Sequence, residues 1–261
     1  MSEKLRVESH GDHILILTFN RPQVRNAVDP ETMQALRTAL ENAPESTRVA
    51  LLTGAEGHFC AGADIQDALT HDPSPDTAYR TLSEVYHPTQ LAIRNAPFPV
   101  IAAVDGYAAG LGCDIALRCD LRVVSARARF AELFVRVGLI PDGGGTFMLP
   151  RLVGLGKALE MMFTGMDVHA DEAARLGLAN RVYPVESFWA EALAFAEELA
   201  AKSPLALRHG KRAMLSALEG LSYAEALQQE AEIQRGIFAS EDGIEGFVAF
   251  MEKRPPVWKG R

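Results

Sequence analysis

A mixed α/β fold is predicted, with strands and helices alternating in the first part of the chain and helices alone at its end. Three observations carry this. Val49-Ala50-Leu51-Leu52-Thr53-Gly54 and Pro99-Val100-Ile101-Ala102-Ala103-Val104 are short, unbroken apolar runs, as expected of strands covered on both faces. Each is followed by a small-residue segment that leads into a helical pattern, Cys60-Ala61-Gly62-Ala63-Asp64 after the first and Ala109-Gly110-Leu111-Gly112-Cys113-Asp114 after the second. From about Glu186 onward no strand signal remains.

Taken in order, Ile14 to Phe19 reads as a strand that Asn20-Arg21-Pro22 ends. Asp29-Pro30-Glu31 is a helix start, an N-cap followed by proline in the first turn, and Met33, Leu36 and Leu40 continue the apolar stripe. Val49 to Gly54 is the next strand. The polar stretch His71 to Thr77 reads as a loop or lid over a helix at Thr81–Arg94. Strand Pro99–Val104, a short helix and strand Leu121–Ser125 follow. This alternation predicts a mostly parallel sheet with ligand groups at the C-terminal ends of its strands. Glu186–Lys202, Pro204–Leu218, Ser222–Ala239 and Asp242–Lys253 read as four helices. Between Leu221 and Ile237 apolar residues fall on one helical face, so this part must pack on its own core or on a sister subunit. The predicted division is a core over 1–185 and a helical region over 186–261.

With 261 residues, 48% apolar, the chain can build a large core. A net charge of −8 argues against nucleic acid or an anionic membrane as partner. Arg118, Arg122, Arg127 and Arg129 form the one basic cluster and are read as a solvated face or an interface. The three cysteines, Cys60, Cys113 and Cys119, offer no disulfide framework and no CxxC pair. With an N-terminus lacking an apolar run, they lead to a cytoplasmic expectation. No metal site is expected: His10 and His13 have no third ligand in view.

The functional signal lies at the two small-residue junctions. Small side chains let main-chain N–H groups approach a ligand, and two such donors aimed at one oxygen form an oxyanion hole. Such a hole suits a thioester carbonyl as it becomes an enolate.

Together with Asn20-Arg21-Pro22, Asn26-Ala27, Gly138-Leu139-Ile140-Pro141-Asp142-Gly143-Gly144-Gly145-Thr146 and Phe250-Met251-Glu252-Lys253-Arg254, these segments resemble the crotonase superfamily, the enoyl-CoA hydratase/isomerase family. The resemblance implies a spiral of ββα repeats with a helical C-terminal trimerisation region, assembled as a homotrimer or a dimer of trimers. It implies an acyl-CoA thioester as substrate, no separate cofactor, and oxyanion donors at the Ala63 and Leu111 amides. Substrate or CoA contacts are expected at Arg25, Ala61, Asp64, Ile65 and Phe134, with Phe250 and Lys253 contributed by a neighbouring subunit.

The reaction is read from departures. Hydratases of this family use two glutamates. Asp114 stands at the position of one and Phe134 at that of the other, while Glu132 matches a non-catalytic position and would share Phe134's face on a strand. Asp142 stands where several non-hydratase members carry their working aspartate. The expectation is therefore a double-bond shift in an enoyl-CoA, with Asp142 as base and Asp142 or Asp114 returning the proton. The alternatives are hydration of a 2-enoyl-CoA by Asp114 with Glu132 or Asp142, thioester hydrolysis, and a non-catalytic CoA- or RNA-binding role.

Overall fold

The computed structural model describes residues 3–71 and 74–261. Strands β1 (Leu5–His10) and β2 (Ile14–Phe19) form an antiparallel hairpin, and helix α1 (Pro30–Glu41) leads to β3 (Val49–Gly54). Helices α2 (Ile65–His71), α3 (Pro75–Thr81) and α4 (His87–Asn95) follow, the last two joined by a π-helical turn at Leu82–Tyr86. Next come β4 (Val100–Val104), β5 (Tyr107–Ala109), α5 (Leu111–Arg118), β6 (Leu121–Ser125) and β7 (Arg129–Ala131). Helices α6 (Gly145–Val153) and α7 (Leu155–Thr164), strand β8 (Val168–His169), helix α8 (Ala170–Arg175) and strand β9 (Arg181–Tyr183) complete the strand-bearing part. Helices α9 (Phe188–Ala200), α10 (Pro204–Leu218), α11 (Tyr223–Phe238) and α12 (Glu241–Glu252) end the chain.

Six strands form one sheet in the order β1-β2-β3-β4-β6-β9, parallel except for the β1–β2 hairpin. Its middle strands are buried on both faces, which is why they read as continuous apolar runs. One face meets α1, α4 and α5 through Met33, Leu36, Ile93 and Leu117. The other meets α9 through Phe188, Ala192, Phe195 and Ala196, packed on Val49, Leu51, Ile101 and Val123. Each fully buried Leu, Ile or Val in these layers contributes about 1.5–3 kcal/mol. The predicted division at 185/186 separates the last strand from the helices, and α9 packs on the sheet across it.

A second sheet, β5-β7-β8, has strands of two or three residues, too short to show a period in sequence. The β1 strand was also missed; its Leu5 and Val7 alternate with polar residues as a half-buried edge should. Most of the expected His71–Thr77 loop is helical: α2 runs through His71, and Ser74 caps α3 by accepting from the Thr77 N–H at 3.2 Å. Asp72 and Pro73 lie outside the described residues. The arginine cluster is a solvated face only in part, through Arg127 and Arg129, whose side chains are 51% and 42% exposed. Arg122 is 4% exposed and donates to the Leu178 and Cys119 carbonyls, and Arg127 pairs with Asp105. Among the described residues no helix is long and apolar enough to cross a membrane.

Candidate active site

The segment Cys60–Asp64 follows β3 and is held on both sides by main chain. The Cys60 N–H donates to Tyr107 O, and its carbonyl accepts from the Ala109 N–H, both at 3.0 Å. Opposite, the Ala61 N–H donates to Arg25 O at 3.0 Å, while the Val28 N–H reaches Gly62 O and the Asp64 N–H reaches Val28 O, both at 2.8 Å. This pattern leaves the Ala63 N–H out of the ladder. Leu111 is the first residue of α5, so its N–H has no partner one turn back. Two amides without a main-chain partner among the described residues thus stand in the segments that follow β3 and β5.

Glycine brings them together. Gly62 has φ +108°, and a Cβ there would lie 2.9 Å from Ala109 O and 3.5 Å from Leu111 N. A Cβ at Gly112 would run into the Cys60 carbonyl. The two segments therefore touch at backbone distance, as an amide pair sharing one oxygen requires. The α5 N-terminus adds its partial positive charge.

Arg21 and Asn26 fix the arrangement from behind. Buried Asn26 donates from Nδ2 to Ala55 O and His58 O at 2.9 and 2.6 Å and accepts from the Arg21 N–H at 2.9 Å. Arg21 reaches Ala27 O and Asp64 Oδ2, both at 2.8 Å. The Asn20-Arg21-Pro22 and Asn26-Ala27 pieces are scaffold. Asp64, expected at the ligand, has its oxygens engaged by Arg21 and, at 3.1 Å, by the Asp67 N–H, so it caps α2 and braces the loop.

Three carboxyls meet on the other side of the amide pair. Asp114, on α5, is 1% exposed; Oδ2 accepts from the Gly143 N–H at 2.7 Å, and Oδ1 is buried without a partner. A Cβ at Gly143 would lie 2.5 Å from Leu111 Cδ1 and 2.8 Å from Asp114 Oδ2, so these glycines form the wall against which Asp114 rests. Asp142 precedes that wall and is partly exposed. Burial raises its pKa above the usual carboxylate value, opposed by the nearby His87. Glu132 is fully buried with both oxygens unpartnered. It does not share a strand with Phe134: β7 ends at Ala131, and Phe134 lies in the 3-10 turn Leu133–Val137.

Phe134 is buried, with its ring 3.9 Å from the place a Cβ would take at Gly110. It therefore stands beside the α5 N-terminus. Ala61 and Ile65 flank the Ala63 amide, and Ile65 and Leu69 expose apolar side chains along α2. Arg25 is exposed in a left-handed conformation at φ 52°. The chain does not bring Phe250 and Lys253 to this junction: Phe250 is 80% exposed on α12, and Lys253 is its left-handed C-cap. Sequence reasoning missed Tyr86 and His87 as individual side chains. His87 Nε2 lies 2.8 Å from Asp142 O, and the phenol of Tyr86 is pushed up by burial and by surrounding carboxylates, Asp142 and Asp64 among them. Their only sequence signal is that they fall within the helix predicted over Thr81–Arg94.

An arrangement of two amides and a partly buried acid is suited to a carbonyl substrate. Comparison with known proteins places the chain in a family. The family model for enoyl-CoA hydratase/isomerase matches residues 9–261. A probable enoyl-CoA hydratase of Rhodobacter capsulatus is 38% identical over 251 residues, 96% of either chain. A 2,3-dehydroadipyl-CoA hydratase of Escherichia coli is 35% identical over 257 residues, 98% of either chain. The crystal structure of an enoyl-CoA hydratase from Bacillus anthracis matches with a TM-score of 0.94 at 32% identity, covering 99% of this chain and 100% of that one. This chain belongs to the enoyl-CoA hydratase/isomerase family and has the crotonase fold.

Proposed function

We propose that this enzyme shifts a double bond in an enoyl-CoA thioester, with Asp142 as its single base and the Ala63 and Leu111 amides holding the enolate. One observation carries the reading: of the three carboxyls, only Asp142 is open to solvent, whereas Asp114 and Glu132 are sealed at 1% and 0% exposure. A group that exchanges a proton with substrate must reach it. Phe134 supports the same reading, since a ring can neither hold a water nor move a proton.

The steps follow from the residues. The thioester oxygen sits between the two amides, which stabilise it as negative charge develops. Asp142 removes a proton from one end of the allylic system, and the electron pair moves into the carbonyl as an enolate. The same carboxyl, now protonated, returns the proton at the other end, and the enolate collapses to the shifted enoyl thioester. Asp114 holds the base in place through the Gly143 N–H rather than touching the substrate. The raised pKa of Asp142 brings it nearer the acidity of its task. Arg25, Ala61 and Ile65 line the approach for the CoA arm.

Hydration is the second reading, favoured by the names the relatives carry and by the unpartnered oxygens of Asp114 and Glu132. The two readings separate in isotopically labelled water, with 2-trans- and 3-enoyl-CoA substrates read by mass spectrometry. Isomerisation incorporates deuterium without gaining oxygen, and part of the hydrogen is carried from one carbon to the other. Net addition of water with little isomerisation, unaffected by Asp142→Asn, would overturn the proposal.

Assembly is part of this reading. Met214 is 74% exposed on α10, and Leu227 is 47% exposed on α11. These helices border an apolar groove of about 690 Å³ lined only by the two of them. Leaving such a face in water is unfavourable, which supports a homotrimer, or a pair of trimers, through the helical tail. In such an assembly Phe250 and Lys253 would serve a neighbour's site.

A further inference from the structure

Glu132 has no part in the steps above, yet it is the least satisfied side chain near them. It is wholly buried, and neither oxygen has a hydrogen-bond partner. Asp114, its neighbour on α5, has one oxygen on the Gly143 N–H and the other buried and unpartnered. Three carboxyl oxygens are therefore closed off from water without a hydrogen bond, although the Cys113 thiol and the Gly145 N–H lie near them. Among the described residues no lysine or arginine pairs with either acid. The titratable groups facing Glu132 are the Cys113 thiol and Asp114 from α5 and Asp142 from the loop before α6. His87 and Tyr86 face Asp142 from α4 and the turn before it.

Two ionised carboxylates in one closed site repel, and neither can donate a hydrogen bond to the other. Adding a single proton makes one of them a donor and removes one charge. We propose that Glu132 and Asp114 hold one proton between them, and that through this shared proton Glu132 positions the Asp142 loop by keeping Asp114 on the Gly143 N–H. The positioning half rests on Asp142 being the base; the shared proton does not.

The electrostatics run the same way. Burial, then the charge of Asp142, raises Glu132 to about 7 despite the nearby Cys113 thiol. Burial, then the charge of Glu132, raises Asp114 well above the carboxylate range despite the Gly143 N–H. Cys113 is itself raised, chiefly by burial, and so stays a protonated thiol. The pair thus loses its last proton in a step that belongs to both acids. Past that step, two negative charges press on Asp114, whose hold on Gly143 is adjacent to the base in sequence. Activity then falls on the alkaline side.

Infrared difference spectroscopy of the substrate-free protein, titrated from acid to alkaline pH, reads the shared proton directly. The wild type is expected to keep a protonated-carboxyl band at neutral pH and to lose it in one step. Glu132→Gln and Asp114→Asn are each expected to remove that band at neutral pH. In parallel, Glu132→Gln is expected to move the alkaline limb of the kcat profile outward by one pH unit or more, since glutamine stays neutral and can donate to Asp114. A wild type without the band, or a band surviving in both variants, overturns the shared proton. An alkaline limb that Glu132→Gln leaves in place overturns the positioning role. Should Glu132→Gln fail to fold, Asp114→Asn and the wild-type titration still decide the first point. Full activity in Asp142→Asn would remove the base assignment while leaving the infrared result standing, so the two failures are distinguishable.

Discussion

Gly62 and Asp142 are the positions at which one atom decides the chemistry. Gly62→Ala places a methyl 2.9 Å from Ala109 O at φ +108°, where an L residue is strained. The expected outcome is a fall in kcat of roughly 10²-fold or more, the size of losing one oxyanion donor, measured on folded protein with KM recorded alongside. Asp142→Asn keeps the shape of the side chain but removes the proposed base. It is expected to lower the isomerisation rate by about 10³-fold, within the range for general-base catalysis, with an unchanged circular dichroism spectrum. Gly62 was legible in sequence because glycine at such a junction points to close backbone approach, and Asp142 was marked by the resemblance to the family. Glu132 was not. Its role depends on being sealed, and burial at a strand end cannot be read from a three-residue strand.

At the scale of elements, α1 and the strand-end loops are tied together by Asp29. It caps α1 through the Thr32 N–H at 2.8 Å and meets Lys4 at 2.7 Å and Arg21 at 3.5 Å. Burial pushes its pKa up, but the bonds from Lys4 and Thr32 outweigh that and lower it from 3.8 to about 2. A depressed carboxylate stabilises the fold above its unfolded value and loses that contribution as pH falls. Asp29→Ala is therefore expected to cost about 2 kcal/mol at neutral pH, and less as pH drops from 3.8 toward 2; urea unfolding at two pH values checks it. Glu132 has the opposite sign. Its raised value favours the folded state below 4.5, and that contribution is lost as pH rises through about 7. The thermal midpoint should decline across that window and flatten in Glu132→Gln. The cap and proline at Asp29-Pro30 were visible in sequence, whereas the ion pairs with Lys4 and Arg21 join segments that only folding brings near.

For the whole molecule, the exposed apolar face of α10 and α11 is the feature that one chain does not satisfy. Met214→Glu combined with Leu227→Glu is expected to reduce the particle mass from three or six protomers to one, measured by light scattering after size exclusion. If Phe250 and Lys253 serve a neighbour's site, KM for the CoA substrate should rise in the dissociated form, with a smaller change in kcat. A wild-type particle with the mass of one chain would refute the assembly.

The sequence by itself determined the class of fold and pointed to the two small-residue junctions, each written in local terms: continuous apolar runs and glycines at sharp approaches. The candidate base came from the resemblance to the family, since an acid in a Pro-Asp-Gly-Gly segment is by itself ordinary turn chemistry. Family membership followed from the same segments. Only the tertiary structure decided which of the acids is open to solvent. Asp114, Glu132 and Asp142 differ little as residues, and what separates them is burial and the partner each oxygen finds. Those properties depend on packing between α5, β7 and the loop before α6, contacts between parts of the chain that local pattern does not encode.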